Sequence, residues 1–201
     1  MVAWVLVVGS YLLGSIPTSV WVGRFFFGVD VRTRGSGNAG GTNTLRTLGW
    51  GAGIAVMAVD VGKGVVAAML PALTQITGPR WLPVACLIAA VGGHVFPVFA
   101  DFRGGKGVAT GAGALVVLAP VPAAACAVVW FVLLAATRVV SVAAAVALPI
   151  AVASLPGRGP EGLLPASVGL AAFVVWTHRA NLRRLRRGEE PRTTVARKDG
   201  R

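Results

Sequence analysis

Long uncharged stretches alternate with short polar ones along the whole chain. Met1 to Gly23 carries no charge; a bilayer-crossing helix needs roughly 20 mostly apolar residues, so this stretch is expected to be a transmembrane helix. Further low-charge windows run from Gly51 to Leu73 (interrupted by Asp60 and Lys63), Trp81 to Ala100, Gly107 to Thr137, Val139 to Gly157 and Gly162 to Thr177. All but one read as a single span. The window from Gly107 to Thr137 has 31 residues, long for one span and short for two. Pro120 and Pro122 at its centre predict a hairpin of two short helices.

Composition sharpens this reading. Of 201 residues, 55% are hydrophobic and 13% charged, with a mean hydropathy of +0.75, against about 25% charged in a soluble domain. A soluble globular chain and a disordered one are both excluded. The net charge of +12 would suggest nucleic acid in a soluble protein, but here the basic residues lie between apolar runs. That placement points to membrane topology and to anionic lipid or substrate, with no nucleic-acid partner. Cys86 and Cys126 each sit inside an apolar run with no neighbouring His or Cys. They read as small hydrophobes rather than disulfide or metal partners.

Charge also sets the expected topology. The first basic residue, Arg24, follows the first apolar run instead of preceding it, which argues against a signal peptide and puts the N-terminus outside. Nine basic residues follow Thr177, and the positive-inside rule assigns them to the cytoplasm. An odd number of spans is then required. Seven put sixteen basic residues inside and leave Arg80 and Arg158 outside, with Lys63 within a span. Trp4, Trp21, Trp50, Trp81 and Trp176 fall near span ends, as an interfacial aromatic belt requires. The expected fold is an all-α integral membrane protein of seven transmembrane helices, N-terminus outside and C-terminus cytoplasmic. Residues 1–190 form one transmembrane domain, and 191–201, without apolar periodicity, a disordered tail.

The same topology brings three polar segments to one membrane face. The first, GSGNAGGTNTLRTLG from Gly35 to Gly49, is dense in glycine, hydroxyls and amides, with Arg46 as its cation, the makings of an anion-binding nest. Its literal G-x-G-x-x-G is not a dinucleotide fingerprint, because no strand and no βαβ unit surround it. The second, HVFPVFADFRGGKGVAT from His94 to Thr110, sets the Lys106 ammonium among flexible glycines, a way to hold phosphate. It lacks the spacing of a Walker A loop. His94 reads equally as a proton carrier, a substrate ligand or an interfacial histidine. Asp101 is expected to pair with Arg103 or Lys106. The third, HRANLRRLRRGEE from His178 to Glu190, suits an interfacial helix, with Arg183, Arg184, Arg186 and Arg187 explained by topology. Within the second window, Asp60 and Lys63 stand i, i+3 and are expected to neutralise each other. Arg138 and Ser141 share that spacing between two spans.

Together these segments resemble the signature motifs of the bacterial membrane acyl-phosphate:glycerol-3-phosphate acyltransferase family. The resemblance runs through GSIP at Gly14 to Pro17, the Gly35 to Gly49 loop, DxxKG at Asp60 to Gly64, the His94 to Thr110 segment, RxxS at Arg138 to Ser141, and HRxNxxRLxxGxE at His178 to Glu190. Gly41, Arg103 and Glu189 depart from the common residues without removing a chemical group. The resemblance implies a seven-helix protein of the bacterial cytoplasmic membrane with its site facing the cytoplasm. It implies transfer of a fatty acyl group from acyl-phosphate to the sn-1 hydroxyl of glycerol 3-phosphate, without cofactor and without an obligate protein partner. Matched to the motifs, Lys106, His94 and Ser141 are the expected catalytic residues. Ser36, Asn38, Thr42, Asn43, Arg46, Gly104, Gly105, Gly107, His178, Asn181 and Glu190 are the expected substrate-binding ones, with the amides of Gly104, Gly105 and Gly107 assisting at phosphate. The general base is either His94 or the acceptor's own phosphate.

Overall fold

The computed structural model describes residues 2–76, 78–153 and 159–192. In chain order the helices are α1 (Val2–Gly14), α2 (Thr18–Phe27), α3 (Gly41–Leu48), α4 (Trp50–Leu73), α5 (Leu82–Val95), α6 (Val108–Leu118), α7 (Pro120–Thr137), α8 (Val140–Ala153), α9 (Leu163–Thr177) and α10 (Arg179–Arg186), and no strand occurs among the described residues. The first apolar window is one helical stretch broken at Ser15 to Pro17, because Pro17 lacks an N–H and pushes Ile16 out of the helical region. The Gly107 to Thr137 window splits, as expected, into α6 and α7. Pro120 opens α7 at its first position, where a missing N–H costs nothing.

Four stretches among the described residues are long and apolar enough to cross a bilayer: Val2–Phe27, Trp50–Leu73, Leu82–Ala100 and Pro120–Thr137. A fifth results if α9 and α10, bent by 51° to each other, are one span. α6 has 11 residues and, at 1.5 Å per residue, reaches only about 16 Å. The bundle is turned inside out relative to a soluble protein: Trp4, Val5, Val128 and Phe131 are exposed, while Ser10, Ser19, Thr110 and Ser167 are buried. All five tryptophans expected in the interfacial belt are exposed.

Two helix crossings are close because glycine lies on both sides. A Cβ on Gly14 would collide with the Ala90 carbonyl and one on Gly93 with the Tyr11 carbonyl, locking α1 to α5. Gly64 and Gly113 do the same between α4 and α6, against the carbonyls of Thr110 and Val61. Small residues that let backbones touch are how helices associate where no hydrophobic drive exists. A core of Leu87, Val91, Ala114, Leu115, Leu170 and Val174 joins α5, α6 and α9.

The charges inside α4 pair as expected. Lys63 Nζ lies 2.8 Å from Asp60 Oδ1, with the two residues 4% and 2% exposed. The ammonium also donates to the carbonyls of Ile16 (2.9 Å) and Gly14 (3.4 Å). Those carbonyls lie at the α1–α2 break, where helical partners are missing, so Lys63 caps an interrupted helix within the apolar layer. The segment expected after Thr177 as an interfacial helix does form a helix, α10. Of the expected tail, all beyond Arg192 lies outside the described residues, as does Arg158 of the charge count.

Candidate active site

Three loops converge on one end of the bundle. In the first, Asp30 accepts the Arg32 amide (2.9 Å) and pairs with the guanidinium groups of Arg32 and Arg24 (2.8 Å each). Hydrogen bonds from Arg32 hold its carboxyl well below the ordinary carboxylate range. Arg32 also donates to the Ala100 carbonyl (2.9 Å), tying the first loop to the second. Asp101 pairs differently from expectation: it is 86% exposed and lies 3.9 Å from Arg32, since its left-handed backbone (φ 54°) turns it outward.

Asn43 organises the glycine loop. Its amide donates to the carbonyls of Val31 (2.8 Å) and Arg34 (3.0 Å), and its oxygen accepts from Ser36 N–H (2.8 Å). Expected as a substrate ligand, Asn43 spends its side chain on the loop and acts there as a scaffold. The first turn of α3, with Gly41 and Thr42, lines the cavity below, beside Ser36, Asn38 and Arg46. A helix N-terminus favours an anion at that position. Arg46 donates to the Pro191 carbonyl (3.1 Å), while its Nε is buried without a hydrogen-bond partner among the described residues.

The second loop corrects one expectation. The amides of Gly104 and Gly105 are not presented to a phosphate: they donate to the carbonyls of Val95 (3.1 Å) and His94 (3.0 Å). These positions need glycine for another reason, since a Cβ would strike the His94 carbonyl at Gly104 and the His94 ring at Gly105. The tight turn aims Lys106 into the cavity, where Nζ hydrogen-bonds Asn181 Oδ1. Burial lowers the Lys106 pKa to about 8; Glu190 opposes that shift, and Arg184 and Arg46 add to it.

The third segment closes the ring. Glu190 Oε1 accepts from Ser141 Oγ (2.9 Å) and Asn181 Nδ2 (2.6 Å), and Oε2 from Arg184 Nε (2.9 Å). Although burial opposes ionisation, these bonds hold the Glu190 pKa below its ordinary value. A continuous chain therefore runs Lys106, Asn181, Glu190, Ser141, linking α8, α10 and two loops. Glu190 stands behind the wall as its hub, and Arg184, expected to be topological only, is fastened to it. His178 Nδ1 lies 2.8 Å from the Val174 carbonyl. His94 Nδ1 lies 3.4 Å from Lys63 Nζ and 3.7 Å from Asp60 Oδ1. That link between the site and the intramembrane pair has no signal in the spacing of the sequence.

The cavity these residues line has a volume of about 380 Å³ and two characters. One end holds Ser36, Arg46, Lys106, His94, His178 and Asn181; the other is apolar, with Leu115, Val116, Ala123, Trp130, Phe131 and Leu148. Val116 of α6 and Phe131 of α7 are 54% and 64% exposed, so the apolar end reaches the outer surface of the bundle. Ser141, Gly107 and Cys126 also line it. Of the expected site residues, only Gly104, Gly105 and Glu190 lie outside the lining, and each supports it from behind.

A cationic pocket continued by an apolar groove, in a bundle with several membrane-length helices, is the architecture of an integral membrane protein that can hold a ligand with one charged and one apolar end. The chain belongs to the glycerol-3-phosphate acyltransferase family, whose profile matches residues 4–188. It is 44% identical to a glycerol-3-phosphate acyltransferase of Bacillus cereus strain G9842 over 97% of both chains. It is 41% identical to one of Listeria monocytogenes, covering 91% of this chain and 92% of that one. Among solved structures it superposes on PlsY (YgiH), an integral membrane glycerol 3-phosphate acyltransferase, in its glycerol 3-phosphate form, with a TM-score of 0.87 and 36% identity over 96% of both chains. The lysophosphatidic acid form of that enzyme gives a TM-score of 0.84 at 36% identity over 97% of both chains.

Proposed function

We propose that this enzyme moves a fatty acyl group from acyl-phosphate to the sn-1 hydroxyl of glycerol 3-phosphate, releasing lysophosphatidate and phosphate. The observation that carries the reading is the two-ended cavity: cations and polar side chains suit the two phosphates, and the apolar end at the outer surface of the bundle suits a chain drawn from the bilayer. Lys106 and Arg46 bind phosphate, with Ser36, Asn38 and Thr42 at the mouth of α3, and His178 and Asn181 contact the acceptor. Ser141, held by the same Glu190 oxygen as Asn181, stands with it at the polar end.

The acceptor oxygen attacks the acyl carbonyl carbon directly, forming the new C–O ester bond. The bond from that carbon to the phosphate oxygen breaks, and phosphate leaves with its electron pair. Lys106 stabilises the charge that develops on the leaving phosphate. The hydroxyl proton passes to His94 or to the acceptor's own phosphate. Because acyl-phosphate is already activated, positioning supplies much of the rate and no acyl-enzyme is needed. We further infer seven spans in the bacterial cytoplasmic membrane, the N-terminus outside and the site facing the cytoplasm, with membrane lipid as the only other partner required.

The test is lysophosphatidate formation by purified protein given glycerol 3-phosphate with palmitoyl-phosphate or, in parallel, palmitoyl-CoA. Product from acyl-phosphate alone, lost on Lys106→Ala, is the expected result; product from the thioester alone would overturn the donor assignment.

A further inference from the structure

The chain contains only two histidines, and both rings line the cavity. Their fixed partners differ in kind. His178 Nδ1 lies 2.8 Å from the Val174 carbonyl oxygen, a group that only accepts. The nearby Thr177 hydroxyl, 3.5 Å from that nitrogen, directs its own hydrogen to the same carbonyl at 2.8 Å. His178 must therefore carry its hydrogen on Nδ1, which leaves the opposite edge of the ring, Nε2, with a lone pair. His94 Nδ1 faces Lys63 Nζ at 3.4 Å, and an ammonium only donates. Asp60 Oδ1, the carboxylate oxygen paired with Lys63, is 3.7 Å away and beyond hydrogen-bond range. Here Nδ1 must be bare and the hydrogen sits on Nε2, the edge that packs against Gly105.

We infer that the two histidines are locked in opposite tautomers, His94 by Lys63 and His178 by the Val174 carbonyl. His178 alone then offers the glycerol hydroxyl a nitrogen acceptor, while His94 can only donate. Lys63 is in this sense a positioning residue: from within the membrane layer it sets what a side chain in the active site can do. His94 is accordingly removed as a destination for the hydroxyl proton, because its one basic nitrogen points away from the reacting groups towards a cation. The inference rests on the proposed acceptor only where it assigns the partner of His178; the tautomers themselves depend on nothing but the fold.

Nitrogen NMR of the full chain in lipid nanodiscs, with only histidine ring nitrogens labelled, reads this directly, since bare and protonated ring nitrogens resonate far apart. Expected are one ring protonated at Nδ1 and the other at Nε2, assigned by the disappearance of one set in His178→Gln or His94→Gln. One folded variant suffices to assign both rings. The same tautomer in both rings, or a doubly protonated ring at neutral pH, would overturn the inference. In the charge-neutral pair Asp60→Asn with Lys63→Met, the His94 signals should move to a tautomer mixture while those of His178 stay. Unchanged His94 signals would remove Lys63 from its positioning role. Glycerol 3-phosphate should shift the bare nitrogen of His178 and leave that of His94 in place, and the reverse would sink the assignment. None of these readings requires an acyl donor, so a failed acyl-phosphate assay and a failed tautomer assignment remain distinguishable.

Discussion

Two lysines are held in this fold, and they are held in opposite ways. Lys63, 4% exposed within α4, meets the Asp60 carboxylate and the carbonyls of Ile16 and Gly14. Its three hydrogens go to those two carbonyls and to His94 Nδ1, with the Asp60 carboxylate beside them as counter-charge, so its charge serves the fold and positions His94. Lys106 meets one amide oxygen, that of Asn181, and faces the cavity. It keeps donors for a ligand, and its lowered pKa shows that the protein supplies less compensation than water would. A buried cation with all partners internal is architecture; one left partly unpaired at a cavity is a binding group.

Removing Lys63 alone should have the largest effect. Lys63→Met strands the Asp60 carboxylate in the apolar layer, and breaking a buried pair in this way costs about 3–5 kcal/mol. Thermal unfolding in detergent should register that loss, with most of it recovered when Asp60→Asn is added. If the single and double variants melt alike, the pair is not what keeps this region folded. Lys106→Ala should leave the melting temperature nearly unchanged yet lower kcat/KM by about 10²–10³, the scale of one lost electrostatic donor. A comparable drop in stability would erase the contrast between the two lysines.

Asn43→Ala separates scaffold from ligand. The buried Val31 carbonyl, the Arg34 carbonyl and the Ser36 amide would lose their partner, a cost of roughly 1–3 kcal/mol, with KM and kcat both affected through the disordered loop. An unchanged melting temperature with only KM raised would restore Asn43 to the substrate. The smallest effect concerns pH. Because the Lys106 pKa is lowered to about 8, the free enzyme loses its phosphate-binding cation as pH rises through that value. The sign is fixed by the direction of the shift: kcat/KM should be level below about 8 and fall above it, by up to about tenfold per unit. A profile flat to pH 10 would mean the lysine keeps its ordinary affinity for protons.

Much of the architecture was legible in the chain because the bilayer enforces a coarse rule: each spanning segment must be apolar and internally hydrogen-bonded. The Gly107 to Thr137 window could therefore be split at Pro120, the 60/63 pair anticipated from i, i+3 spacing, and the loops of Ser36, Lys106 and Asn181 placed together. Backbone bonding was not legible. Gly104 and Gly105 looked like phosphate-cradling amides, yet their N–H groups turn inward to Val95 and His94. The same motif letters serve either arrangement, and only the path of the loop chooses. Glu190 likewise reads as a polar residue after an arginine run, and nothing local says that Ser141, far away in sequence, donates to it.

Sequence alone determined that this is a helical membrane protein with glycine-rich, cationic loops, because burial in lipid and phosphate chemistry each restrict residue type strongly. Tertiary structure decided which lysine is spent and which is free, which asparagine supports and which one contacts Lys106, and which nitrogen of each histidine carries the hydrogen. Those choices depend on hydrogen bonds between residues distant in the chain, such as Lys63 with Ile16 or Lys106 with Asn181. Residue type sets how many bonds a group can make, and only the packed fold says with whom.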